Sequence, residues 1–129
     1  MNNELNLNEL KLKTFTEQDA LDYCQLNSIN PNNIKTLLLS SNELTDISGI
    51  RLFKNLEILW LDYNFIKDIS VIQYLKNLKE LSIQNLELKS DQIRYINSLK
   101  NLETLFYING FKNMSFIDKL NDIKILKLK

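Results

Sequence analysis

Residues 56–77 read LEILWLDYNFIKDISVIQYLKN, and the pattern restarts at Leu78. Leu56, Leu59, Leu61, Asn64, Ile66, Ile69, Ile72 and Leu75 recur 22 residues earlier as Ile34, Leu37, Leu39, Asn42, Leu44, Ile47, Ile50 and Phe53. A helix repeats every 3.6 residues and a strand every two. A period in the twenties therefore marks stacked units, each too small to bury its apolar face alone. Working outward, units open at Ile34, Leu56, Leu78, Leu102 and Ile123, and an Asn or Asp precedes each opening (Asn33, Asn55, Asn77, Asn101, Asp122).

Every unit carries a short alternating stretch: Thr36–Ser40, Ile58–Asp62, Glu80–Gln84, Thr104–Ile108 and Ile125–Lys127. Alternation places Leu37/Leu39, Leu59/Leu61, Leu81/Ile83, Leu105/Tyr107 and Leu126/Leu128 on one inward face. Asp46 and Asp68, each followed by Ile, suit caps of short 3₁₀ or helical turns on the opposite side. The third unit is two residues longer. Its Ser90-Asp91-Gln92-Ile93 opening suggests a fuller α-helical turn there.

The pattern LxxLxLxxNxIxDI resembles the leucine-rich repeat. The 22-residue form looks like the subclass found in bacterial internalins and in a regulator of a Ser/Thr phosphatase. The resemblance implies an α/β solenoid with a parallel sheet on the concave face and 3₁₀ or short α turns on the convex face. It also implies that Asn42 and Asn64 turn inward and bond the backbone of their own and adjacent coils. Leu86 and Gly110 stand where the third and fourth units should have that Asn, which predicts an altered turn from residue 84 onward.

Residues 1–33 are expected to form an N-terminal cap, and residues 34–129 the repeats. Within the cap, Leu10 and Leu12 suggest a strand at 9–14. Thr16-Glu17-Gln18-Asp19 begins a helix at 17–26, with Thr16 as N-cap and Ala20, Leu21 and Cys24 on one face. Asn27 to Asn33, containing Pro31, ends it. The strand that begins at Ile125 is expected to be either a free edge or a pairing surface.

Composition excludes several kinds of chemistry. The chain has 129 residues, no His, one Cys and a formal net charge of zero. A histidine base, a histidine metal ligand and a disulfide framework are ruled out. Zero net charge argues against a nucleic-acid partner, and Lys11, Lys13, Lys127 and Lys129 read as a solvated rim. No apolar run is long enough to span a membrane, and the N-terminus lacks a signal core. We expect a cytoplasmic protein with no cofactor, no metal and no enzymatic role.

What remains is the open face of the sheet. Periodicity puts Leu38, Trp60, Ser82 and Phe106 in its middle column, with Ile58 and Glu80 before it and Asp62 and Ile108 after it; Tyr63 lies just past a strand. Trp60 and Phe106 should stand two strands apart, about 10 Å, flanking the small Ser82. Apolar centres with charged edges typify protein-binding surfaces. The expected partner site is therefore Leu38, Ile58, Trp60, Asp62, Tyr63, Glu80, Ser82, Phe106 and Ile108, taking a protein or peptide. The alternative is a homodimer formed through the C-terminal edge strand or the concave face. If the two faces are assigned correctly, Leu61→Ala costs roughly 2–5 kcal/mol in urea unfolding, and Trp60→Ala costs clearly less.

Overall fold

The computed structural model describes residues 3–112 and the backbone of Ile125–Lys127. The expected unit opening at Ile123, the side chains of Leu126 and Lys127, and residues 128–129 lie outside the described residues.

Six three-residue strands form one parallel sheet in chain order: β1 (Glu4–Asn6), β2 (Thr36–Leu38), β3 (Ile58–Trp60), β4 (Glu80–Ser82), β5 (Thr104–Phe106) and β6 (Ile125–Lys127). Each residue meets its counterpart one coil on, as in Leu37↔Leu59↔Leu81↔Leu105. The inward side chains Leu37, Leu39, Leu59, Leu61, Leu81, Ile83 and Leu105 are fully buried. The convex side carries 3₁₀ turns at Ser48–Leu52 and Ser70–Tyr74. In the third coil a 3₁₀ turn at Ser90–Gln92 runs on into helix α2 (Ile93–Asn97). Asp46 and Asp68 accept bonds from the amides of Ser48 and Ser70 at 2.9 and 2.8 Å, which starts the first two of these turns.

The strands are short because every coil bends sharply just beyond them. Glu9, Ser41, Tyr63, Asn85 and Asn109 all have positive φ, between 54° and 60°. Such backbone costs energy for a non-glycine residue, so it has to be held from outside. Asn42 and Asn64 supply that hold. Asn64 Nδ2 donates to Leu39 O and Leu61 O at 2.9 and 3.0 Å, and its Oδ1 accepts from Leu44 N at 3.0 Å. Asn42 donates to Leu7 O and Leu39 O and accepts from Leu10 N and Leu12 N.

Where the Asn is missing the turn changes, as the sequence implies. Leu10 and Leu86 take its place, and the residue after each, Lys11 or Glu87, adopts a second positive φ. At Gly110 the reason is space: a Cβ there would stand 2.9 Å from Ile83 O and from Tyr107 O.

The cap strand corrects the sequence reading. It runs over Glu4–Asn6, and not over 9–14. Leu5/Leu7 and Leu10/Leu12 both offer an alternating pair, so alternation alone could not choose between them. The bend chooses. Glu4 pairs with Thr36 and Thr14 bridges to Asp46, both 32 residues on. That register puts Glu9 at the positive-φ position and Phe15 in the core, stacked on Phe53 at 5.9 Å. A strand at 9–14 would have placed Phe15 at the turn position that Asn42 occupies. Lys11 and Lys13 consequently leave the columns of the open face, and Asn6 and Asn8 stand there instead.

Helix α1 (Glu17–Leu26) packs on the Ser48–Leu52 turn. Thr16 Oγ1 accepts from Asp19 N, and Asp19 Oδ2 accepts from Thr16 N, a reciprocal cap. Gly49 permits the close approach, since a Cβ there would lie 2.2 Å from Thr16 O. Ala20 and Cys24 are buried beneath α1, whereas Leu21, which the sequence put on the same face, is exposed. Burial pushes the Cys24 thiol pKa up, which leaves the sulfur in its unreactive form.

Replacing Asn64 by Ala strands several buried backbone groups, so we expect a loss of about 3 kcal/mol or more in chemical unfolding. Asn109, exposed and bonded to Asn85 at 3.1 Å, should cost less when changed to Ala, about 1 kcal/mol, mainly because Ala tolerates the positive φ there less well than Asn.

Candidate functional site

The sheet presents one face to the buried leucines and the other outward. On the outward face the register aligns Asn6, Leu38, Trp60, Ser82 and Phe106 in a row. Trp60 and Phe106 are half-buried and stand on either side of Ser82, which is 2% exposed. With Asp62 and Gln84 they line a shallow slot of about 150 Å³.

The slot is held rigidly. Trp60 Nε1 donates to Glu80 Oε2 at 2.7 Å, which fixes the indole across the neighbouring strand. Asp62 Oδ1 accepts from Ser82 Oγ and from Gln84 N, both at 2.6 Å. Asp62 is 8% exposed, so it is a buried carboxylate at the foot of an aromatic pair. Its burial raises its pKa above the ordinary carboxylate value. The bonds from Ser82 and Gln84 oppose that rise, and the nearby Ser40 hydroxyl, buried with no hydrogen bond of its own, opposes it more weakly.

Not every expected site residue is open. Leu38, 8% exposed, is closed off between Asn6 and Trp60 in the row, and Asp62 and Ser82 are buried as well. Ile58 and Glu80 are half-buried. Tyr63 is 58% exposed and Ile108 is 36% exposed; both lie on the rim beyond the strands. The positive φ at Tyr63 recurs in every described coil, so it belongs to the repeat and not to a special site. Sequence reasoning left out Gln84. The signal was there: Ser40, Asp62, Gln84 and Ile108 form one column, and a carboxylate beside Ser82 and Gln84 has donors within reach.

A larger hollow of about 320 Å³ lies between α1 and the first coil, lined mainly by Leu7, Leu10, Leu12, Phe15, Tyr23 and Leu26. Its carboxylates are already engaged: Asp19 with Thr14 and Thr16, and Asp22 with Gln18. A ligand there would meet little free polar chemistry to orient it. Among the described residues no cluster of His, Cys, Asp and Glu could hold a metal ion, and no helix is long and apolar enough to cross a membrane.

Comparison with known proteins agrees with this architecture. Residues 32–74 match the family described as leucine-rich repeats (2 copies). The fold matches the crystal structure of internalin C2 from Listeria monocytogenes with a TM-score of 0.64 and 24% sequence identity, over 98% of this chain. The chain spans 60% of the length of that structure. No curated protein matches the sequence. Residues 32–74 carry the leucine-rich-repeat pattern, and the fold over nearly the whole chain is like that of the internalin C2 structure.

The buried charge gives a pH test. A carboxylate whose pKa is raised by folding favours the folded state when protonated. That contribution is lost as pH rises through the folded-state value. Asp62→Asn keeps an acceptor for Ser82 and Gln84 and removes the charge. Thermal unfolding should show the variant and wild type close together below the model-peptide value of 3.8. At neutral pH the variant should be the more stable. A wild type that gains on the variant as pH rises would contradict the burial of Asp62.

Proposed function

We propose that this protein is a non-enzymatic binding module that docks a protein or peptide on its concave face, centred on Trp60 and Phe106. One observation carries the reading: two large, half-exposed aromatic side chains stand on a rigid sheet on either side of a slot floored by a small buried serine. Aromatic anchors beside a preformed recess supply binding energy with little ordering cost. Trp60 is already fixed by Glu80, which lowers that cost further. Ile58, Glu80, Tyr63 and Ile108 would form the rim, and Asp62, Ser82 and Leu38 would support it from below. We place this activity in the cytoplasm, which suits a lone buried thiol.

The homodimer reading draws on β6, the last strand in the described sheet order. A strand at the end of a sheet can pair with a second copy. Sedimentation in solution separates the two readings. A monomer at tens of micromolar weakens the dimer (on the order of 8 kcal/mol corresponds to micromolar affinity).

Peptides selected from a random displayed library against the immobilised domain test the main proposal. Binders should lose about tenfold or more in affinity for Trp60→Ala or Phe106→Ala, and keep their affinity for Tyr74→Ala on the convex side. Binders indifferent to both concave-face changes would overturn it.

A further inference from the structure

Asp62 is built in a way that the sheet does not need. A carboxylate withdrawn from water costs free energy unless a cation or a full set of donors repays it. Here Oδ1 accepts from Ser82 and Gln84, and the only further donor close to the carboxylate among the described residues is the weakly acting Ser40 hydroxyl. No cation pairs with it: the one ion pair among the described residues is Arg51–Glu17, on the convex side near the cap. The equivalent position is Ser40 in the first repeat coil, Gln84 in the third and Ile108 in the fourth, so the repeat itself does not call for an acid there.

Around this charge stand the parts of a cation receptor. Trp60 and Phe106 flank the slot, and aromatic faces attract cations, most strongly when water is excluded. Glu80, whose Oε2 holds the indole N–H, adds a second negative charge beside Trp60. Gln84 lines the same slot. Its amide nitrogen lies 3.5 Å from Ser82 Oγ, and its carbonyl oxygen accepts no bond among the described residues. The shape favours one cation over the others. A metal ion would want more carboxylates than the slot holds. An ammonium is a compact point charge that suits one acceptor. A guanidinium is flat, stacks on aromatic rings, and presents several donors in a fixed fork. Asp62 and Gln84, which line the slot together with the two rings, offer such a fork a charged and a neutral acceptor.

We propose that the slot receives an arginine side chain of the bound protein or peptide, paired with Asp62 and stacked against Trp60 or Phe106. This rests on the concave-face reading above and names the chemistry of the partner. Leu38 and Ile58 on one side and Ile108 on the other would then meet apolar residues flanking that arginine.

Trp60 is the single tryptophan, so its indole N–H gives one reporter signal in an amide-correlation NMR spectrum of the whole chain. The probes are acetyl-arginine methylamide and its lysine and citrulline counterparts. The arginine probe should move the indole and Gln84 side-chain signals saturably, with a dissociation constant on the order of millimolar. Citrulline, which keeps the shape and loses the charge, should bind about tenfold more weakly or worse. Asp62→Asn should abolish the arginine preference. Phe106→Ala and Gln84→Ala, on the half-buried face, should weaken it while the rest of the spectrum stays unchanged.

Equal response to arginine and citrulline, or an arginine preference that survives Asp62→Asn, overturns the assignment. If library-selected peptides lacking arginine move the indole signal while the arginine probe does not, the arginine inference falls and the concave-face reading stands. If selected peptides leave that signal unmoved, both fall.

Discussion

Each coil depends on its neighbours to cover two inward side chains that it cannot cover itself. A three-residue strand such as Leu59 and its flanks has no stability alone. Laid beside Leu37 on one side and Leu81 on the other, it becomes part of a continuous apolar core. In-register stacking is therefore the condition from which the bends, the convex turns and the outward row all follow. The energetic requirement is severe for the backbone too, because the sharp bend after each strand leaves polar groups without ladder partners. Asn42 and Asn64 meet that requirement from inside the coil, bonding two coils at once.

The same stacking makes the outward face a rigid ruler. Residues 22 or 24 apart in sequence become neighbours about 4.8 Å apart. Trp60, Ser82 and Phe106 are brought into one row by that spacing, and nothing about their immediate sequence neighbours would join them. The slot is as fixed as the core beneath it, and its charged foot is held in place by Ser82 and Gln84. Pre-formed recesses of this kind favour a partner that inserts an anchor over one that has to fold the site around itself.

Much of this was legible in the sequence because packing writes a strict code. The inward leucines, the two asparagines, the aspartate-led convex turns and the helix after Thr16 all follow from period and capping chemistry. The register of β1 was not legible, because Leu5/Leu7 and Leu10/Leu12 satisfy alternation equally. Only the positive-φ bend at Glu9 and the burial of Phe15 against Phe53 distinguish them. On the open face, period placed Trp60 and Phe106 outside, but it could not foresee how much neighbouring side chains cover. Asp62 was expected at the charged edge of the partner site, and it is buried because Ser82 beside it is small and supplies a donor. Leu38 was expected open, and it is closed because it lies between Asn6 and Trp60. Coverage of this sort depends on rotamers and cross-strand neighbours, which a one-dimensional pattern does not carry.

The most direct measurement is a set of nuclear Overhauser contacts in the folded protein. In-register stacking predicts cross-strand backbone contacts linking Leu37 with Leu59 and Leu59 with Leu81, together with contacts from the Trp60 ring to Ser82 and Glu80. A Trp60 ring that instead contacts Leu61, Ile66 or Ile83 in the interior would contradict the account, because the face assigned to a partner would then be the core.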